Sequence, residues 1–294
     1  MRVQSNGIEI EVDDQGPPGG EPVLLVMGLG MQLVAWPDAL VRDLVGRGFR
    51  VLRIDNRDAG LSTQMDAAGV PSVAWAALRF AMHLPVRSPY GLADMAADTV
   101  GVLDALGLRA VHLWGASMGG MIAQHVAARY PERVRSLTLM MTTTGARRLP
   151  QPRPAVRRAL LTRPAGQDEA AIVAHLMKLW GVIGSPGFPP DPEVLRARLA
   201  ATVRRAWRPA GTMRQLLAIA ADGDRSALVA GIRAPTRVIH GEADALVPAA
   251  CGHDLVARIP GAVGDFVAGM GHDLPDPLLA RFADGLAENA ARAT

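Results

Sequence analysis

Ser117 stands in Gly115-Ala116-Ser117-Met118-Gly119, a G-x-S-x-G pattern with an apolar strand-like run before it and a helix-like run after it. That context gives the pattern chemical meaning. A tight strand-to-helix turn leaves no room for side chains at 115 and 119. It lifts the serine hydroxyl clear of the sheet and sets Ser117 at a helix N-terminus, with the Met118 N–H aimed at an incoming oxyanion. The competing reading is that Ser117 only caps that helix.

A serine hydroxyl is a poor nucleophile near neutral pH and needs a base, which in turn needs an orienting acid. For a G-x-S-x-G turn of this kind the chain order is serine, then acid, then histidine, each on a loop after a strand. VIHGEADALVP places Asp244 just past one apolar run, and FVAGMGHDLP places His272 just past the next. The other histidines fit less well. His112 falls within a strand and His125 on the helix after the serine, while His83 and His175 lack a strand end. His240 braces the Asp244 loop, and His253 belongs to a surface helix. Among the acids, Glu242 lies nearer the strand, Asp273 abuts the base, and Asp276 belongs to the rim. Asp222 and Asp224 precede the strand that must deliver the acid. The second oxyanion donor is expected from the loop after an early strand, Met27-Gly28-Leu29-Gly30. The backbone amide of Leu29 is assigned to it beside that of Met118.

These groups need a frame. PVLLVMGLG (22–30) and FRVLRIDNRDAGLS (49–62) are apolar runs ending in polar or Gly-rich loops. RAVHLWGASMGG (109–120) and RSLTLMMTTTG (135–145) repeat the form. Continuous apolar runs suit strands buried on both faces. The residues 93–108 and 120–134 have helical spacing, and Asn6-Gly7 joins an N-terminal hairpin. Strand and helix alternate, which predicts an α/β fold with a mostly parallel sheet between helices. From 146 to 226 the pattern changes to helices rich in Arg, Ala and Pro with no strand, and strand-then-loop units resume at 235–248 and 264–275. The expected organisation is an α/β core of 1–144 and 227–294, interrupted by a helical cap of 145–226. Asp55 and Arg57 are read as structural ties beside the site, since a buried Arg must be paired.

Here the resemblance to a known family becomes specific. VMGLG, DNRDAGLS, GASMGG, HGEADALVP and GMGHDLP together resemble the α/β-hydrolases over nearly the whole chain. Within them the sequence looks closest to the aclacinomycin methylesterase-like and haloperoxidase-like serine esterases. The resemblance implies a nucleophile at Ser117, an acid at Asp244, a base at His272 and oxyanion donors at Leu29 and Met118. Many relatives carry His-Gly where this chain has Met27-Gly28; because the donor is a backbone amide, the missing imidazole need not impair it. The implied activity is carboxylic ester hydrolysis. Perhydrolysis, lactone opening or C–C cleavage by the same triad is an alternative, as is a non-catalytic ligand-binding protein on the same fold. Epoxide hydrolysis and dehalogenation are disfavoured, because in this fold they use an Asp where Ser117 stands.

Composition sets the remaining bounds. The 294 residues are 49% hydrophobic and 20% charged, which is globular and enough for a sizeable core. Cys251 is the single cysteine, so no intrachain disulfide forms, and neither a metal nor an organic cofactor is expected. No run of about 18 apolar residues occurs and the opening MRVQSNGIEIEV lacks a signal core. The expectation is a soluble cytoplasmic protein without a transmembrane segment. Its partner is expected to be a small-molecule ester. The net charge of +3 is unevenly spread: Gly145 to Arg214 holds thirteen Arg or Lys and four Asp or Glu. That basic segment reads as a solvated face, as a device steering anionic substrates, or as a surface for acidic membranes or polymers. No nucleic-acid module accompanies it. In the pocket, Met27, Gly28, Met31 and Trp180 are candidates for substrate contact. Leu176, Met177, Val182, Phe188 and Trp207 either line it or form the core of the cap itself.

Overall fold

The computed structural model describes residues 1–70 and 72–293. In chain order the elements begin with β1 (Arg2–Ser5), β2 (Ile8–Gln15), β3 (Glu21–Val26), α1 (Asp38–Gly46) and β4 (Phe49–Ile54). They continue with α2 (Val73–Ala81), α3 (Leu92–Ala105), β5 (Val111–Ala116), α4 (Met118–Arg129) and β6 (Val134–Met140). Five helices follow without a strand: α5 (Pro154–Leu161), α6 (Glu169–Ile183), α7 (Pro192–Arg205), α8 (Pro209–Asp222) and α9 (Ser226–Val229). The chain closes with β7 (Thr236–Gly241), α10 (Ala250–Arg258), β8 (Val263–Val267) and α11 (Leu279–Ala291).

The strands form one sheet in the order β1-β2-β4-β3-β5-β6-β7-β8. The β1–β2 hairpin and the β2–β4 pair are antiparallel, and every pairing from β4 to β8 is parallel. Asn6 and Gly7 both take positive φ, 50° and 79°, as the expected two-residue hairpin turn requires. The apolar runs are explained by their two buried faces. Along β3, Leu24 and Val26 join a core with α3 and α4, while Val23 and Leu25 join a second core with α1 and α11. Each such side chain contributes about 1.5–3 kcal/mol by leaving water. The helix expected over 93–108 runs Leu92–Ala105, and the next begins at Met118, directly after the serine. Pro131 follows its end and opens a short 3₁₀ turn.

Register puts the working ends of the strands together. Val26 pairs with both Ile54 and Gly115, Ala116 with Met140, and Gly241 with Val267. The loops that follow these residues therefore meet at one sheet edge, the carboxyl edge where parallel sheets bind ligands.

The segment between β6 and β7 starts and ends at one point, where the Arg225 N–H donates to the Thr144 carbonyl at 2.8 Å. Four of its arginines face acids elsewhere in the chain. Arg198 reaches Asp276, Arg205 reaches Asp55, Arg214 reaches Asp58 and Asp66, and Arg148 reaches Asp254. Part of the uneven charge is thus an internal docking pattern. Among the described residues no helix is long and apolar enough to cross a membrane.

Candidate active site

Ser117 is held on the sharp turn between β5 and α4 with φ 55° and ψ −120°, a conformation that costs a non-glycine residue about 1–3 kcal/mol. Its surroundings enforce that backbone. The Ser117 N–H donates to the Met140 carbonyl at 2.9 Å, and the Thr142 hydroxyl donates to the Ser117 carbonyl at 2.7 Å. A Cβ on Gly119 would lie 2.0 Å from the Val26 carbonyl oxygen, so only glycine lets α4 approach β3 this closely. Oγ makes no capping hydrogen bond to the helix. Instead it lies 3.0 Å from His272 Nε2.

His272 Nδ1 lies 2.7 Å from Asp244 Oδ2. A carboxylate can only accept here, so Nδ1 carries the proton and the Nε2 lone pair faces Ser117. Asp244 is positioned by its own loop: Oδ1 accepts the N–H groups of Leu246 at 2.9 Å and Val247 at 2.7 Å. Its side chain is fully buried, and that of His272 nearly so. Asp244, His272 and Ser117 thus form one hydrogen-bonded line at the ends of β7, β8 and β5.

Three further groups brace the line. His240 is fully buried at the end of β7 and donates from Nε2 to the Val247 carbonyl at 2.7 Å. Burial pushes its pKa below the ordinary value, so it stays neutral beside Asp244. The His272 N–H donates to the Ile183 carbonyl at 2.7 Å, which ties this histidine to the end of α6. Asp273 is also buried; burial raises its pKa, while hydrogen bonds from the Ser185 hydroxyl and N–H oppose the rise. The Ser185 oxygen in turn accepts from the Gly271 N–H at 2.7 Å.

On the opposite side of Ser117 lies the loop after β3. A Cβ on Gly28 would stand 3.0 Å from Ser117 Cβ, which measures how closely this loop covers the hydroxyl. The Asn56 amide holds the Met27 carbonyl at 2.9 Å. Neither the Leu29 nor the Met118 N–H has a hydrogen-bond acceptor among the described residues.

The remaining candidates are distributed as follows. Asp55 accepts from the Leu33 and Leu61 N–H groups and from Arg205, and Arg57 is paired bidentately with buried Asp98. Met27 is 4% exposed and packs in the α1–α11 core, and Met118 is fully buried in the other core. Met31 is half-buried, as is Trp180, which packs with Leu176 and Met177 against Ile172, Val173, Leu199 and Val203. Val182 and Trp207 are exposed, and Phe188 packs against the α1–α11 core. His112 bonds to Ser136, His125 to Asp222, and Asp276 to Arg198. His83, His253 and Glu242 are exposed, and His175 is half-buried. Ser185, Thr142 and Gln215 had no motif to announce them. Among the described residues no three His, Cys, Asp or Glu side chains converge as a metal site would.

The model of the alpha/beta hydrolase fold matches residues 21–273. The chain is 30% identical over 279 residues to the rhodomycin D methylesterase DauP of Streptomyces sp. (strain C5), covering 88% of this chain and 87% of that one. It is 29% identical, over the same shares, to the rhodomycin D methylesterase DnrP of Streptomyces peucetius. Among solved structures, the esterase RhEst1 from Rhodococcus sp. ECU1013 superposes with a TM-score of 0.77 at 21% identity, covering 100% of this chain and 99% of that one. At that identity the likeness is one of fold.

Proposed function

The chain belongs to the α/β-hydrolase family, and on that premise we propose that it is a serine carboxylesterase working through an acyl-enzyme. The observation that carries the reading is the unbroken line from Asp244 through His272 to the Ser117 hydroxyl, at 2.7 and 3.0 Å. His272 takes the Ser117 proton as Oγ attacks the ester carbonyl. The amides of Leu29 and Met118 hold the developing oxyanion. Protonated His272 then gives its proton to the departing alcohol, and water activated by the same imidazole frees the acid. Asp244 keeps the imidazole in the right tautomer and stabilises its cation. The preorganised donors are worth about 10²–10³ in rate each.

Two relatives named for methylesterase activity point to methyl esters as the first substrates to try. Residues 145–226 act as the cap in this reading, with the end of α6 against the His272 loop and α8 over the oxyanion loop. Gly28, Met31 and Trp180 are its proposed substrate contacts; Met27, whose side chain points into the core, contributes its backbone. The arginines that dock the insertion leave less of the basic excess to steer an anionic substrate. Hydrolysis of methyl and p-nitrophenyl esters tests the proposal. Wild type turns them over and Ser117→Ala does not, with its fold unchanged by circular dichroism. Turnover retained in Ser117→Ala overturns it.

A further inference from the structure

We infer that Gln215, on α8, is a positioning residue for the oxyanion loop: by gripping the Gly30 amide it locks the turn that presents the Leu29 N–H in a single form. The inference rests on the serine-esterase reading above.

Gln215 is fully buried. Its Oε1 accepts the Gly30 N–H at 2.7 Å and its Nε2 donates to the Arg57 carbonyl at 2.7 Å. Both ends of the amide are used, so its orientation is set by what it faces. The loop it grips is a tight turn. The Met31 N–H donates to the Gly28 carbonyl at 3.1 Å, and Gly30 takes φ 66°. Such a turn has one internal freedom, rotation of the Leu29–Gly30 peptide, which would carry the Gly30 N–H away. Gln215 closes that freedom. The preceding peptide, which contains the Leu29 N–H, is fixed by the bond to the Gly28 carbonyl. With the planes on both sides of Leu29 held, the turn that presents its amide has one form.

The insertion supports this loop at neighbouring points as well. Thr212, one turn earlier on α8, packs on Gly30. Gln32 donates to the Thr202 and Ala206 carbonyls at 2.8 and 2.6 Å and accepts from Arg205 at 2.7 Å. Among the described residues only Gln215 hydrogen-bonds to the peptide next to the proposed donor. Since the oxyanion exists in the transition state and not in the bound ester, loosening its donor lowers kcat and spares KM.

Steady-state hydrolysis of p-nitrophenyl butyrate and inhibition by a trifluoromethyl ketone, whose adduct carries an oxyanion, provide the test. Gln215→Met, of similar length but without hydrogen bonds, should lower kcat about ten- to thirty-fold with KM within about two-fold. The ketone should bind more weakly by the same factor. Gln215→Asn is the gentler variant; its amide stops one methylene short of Gly30 and should show the same split. Leu217→Ala, buried on another face of α8, should lower the melting temperature while leaving kcat within about two-fold. Unchanged kcat and ketone affinity in both Gln215 variants would overturn the inference, as would an equal kcat loss in Leu217→Ala. A wild type that neither hydrolyses the ester nor reacts with a fluorophosphonate sinks the esterase reading, and this inference with it.

Discussion

Replacing Asp244 by Asn removes one charge and almost no volume, and the geometry dictates what the new amide must do. Oδ1 is accepted into a niche made by two N–H donors, Leu246 and Val247. The amide oxygen of Asn must occupy it. The opposite rotamer would set an NH₂ against those two N–H groups, leaving two buried donors unsatisfied at about 1–3 kcal/mol each. The NH₂ is therefore delivered to the former Oδ2 place, 2.7 Å from His272 Nδ1. Two donors cannot share that contact, so Nδ1 gives up its proton and Nε2 carries it instead. Nε2 then presents an N–H to Ser117 Oγ across 3.0 Å and cannot act as a base. The expected loss is about 10³–10⁴ in kcat, or about 4–5.5 kcal/mol in the barrier. KM and melting temperature should move little. Steady-state kinetics with p-nitrophenyl butyrate near pH 7.5, normalised to folded protein, measures it. A loss below about ten-fold would refute the tautomer argument.

Other expectations follow from the same contacts. Arg214→Met strips the bidentate partner from fully buried Asp58, which should cost about 3–5 kcal/mol in urea unfolding. Adding Asp58→Asn, which removes the unpaired charge and tolerates the φ of 67° at that position, should recover part of that loss, and a double variant no more stable than Arg214→Met contradicts the pairing argument. Gly119→Ala drives a Cβ into the Val26 carbonyl, and an elbow displaced by about 1 Å should lose at least about 100-fold in kcat; near-normal kcat refutes the fit. His240 has its pKa lowered by burial, so the unfolded chain binds its proton more readily than the folded one. Its contribution to stability is full above the ordinary value of 6.5 and is lost as pH falls below that value through the folded pKa. His240→Gln keeps an N–H for Val247 but does not titrate; the acid-side fall in unfolding free energy should become shallower, leaving the share of His112, whose pKa burial also lowers.

The elbow, the strand-end positions of Asp244 and His272 and the strandless insertion were legible because each leaves a local mark: an apolar run, a glycine, a helical spacing. The ties between distant segments left none. Gln215 lies 185 positions from Gly30, and Ser185 lies 88 from Asp273, so no periodicity connects them. Helix α2 was not anticipated either, and of VAWAALRFA only Ala76 is buried. Met27 teaches a different lesson. It is next to the proposed oxyanion donor in sequence, but two-residue alternation places it with Val23 and Leu25 in the α1–α11 core. The basic insertion could be counted in the sequence, whereas its acidic partners, Asp55, Asp58, Asp66, Asp254 and Asp276, are gathered only by the fold.

The central claim is that Ser117 carries the acyl group. Acid quenching of p-nitrophenyl butyrate turnover within the first cycles, followed by peptide mass mapping, tests it directly. The account predicts one butyrylated peptide, containing Ser117, that disappears on longer incubation without substrate and never forms in Ser117→Ala. A butyryl group mapped to any other residue as the turnover intermediate, or ester hydrolysis persisting in Ser117→Ala, would contradict it.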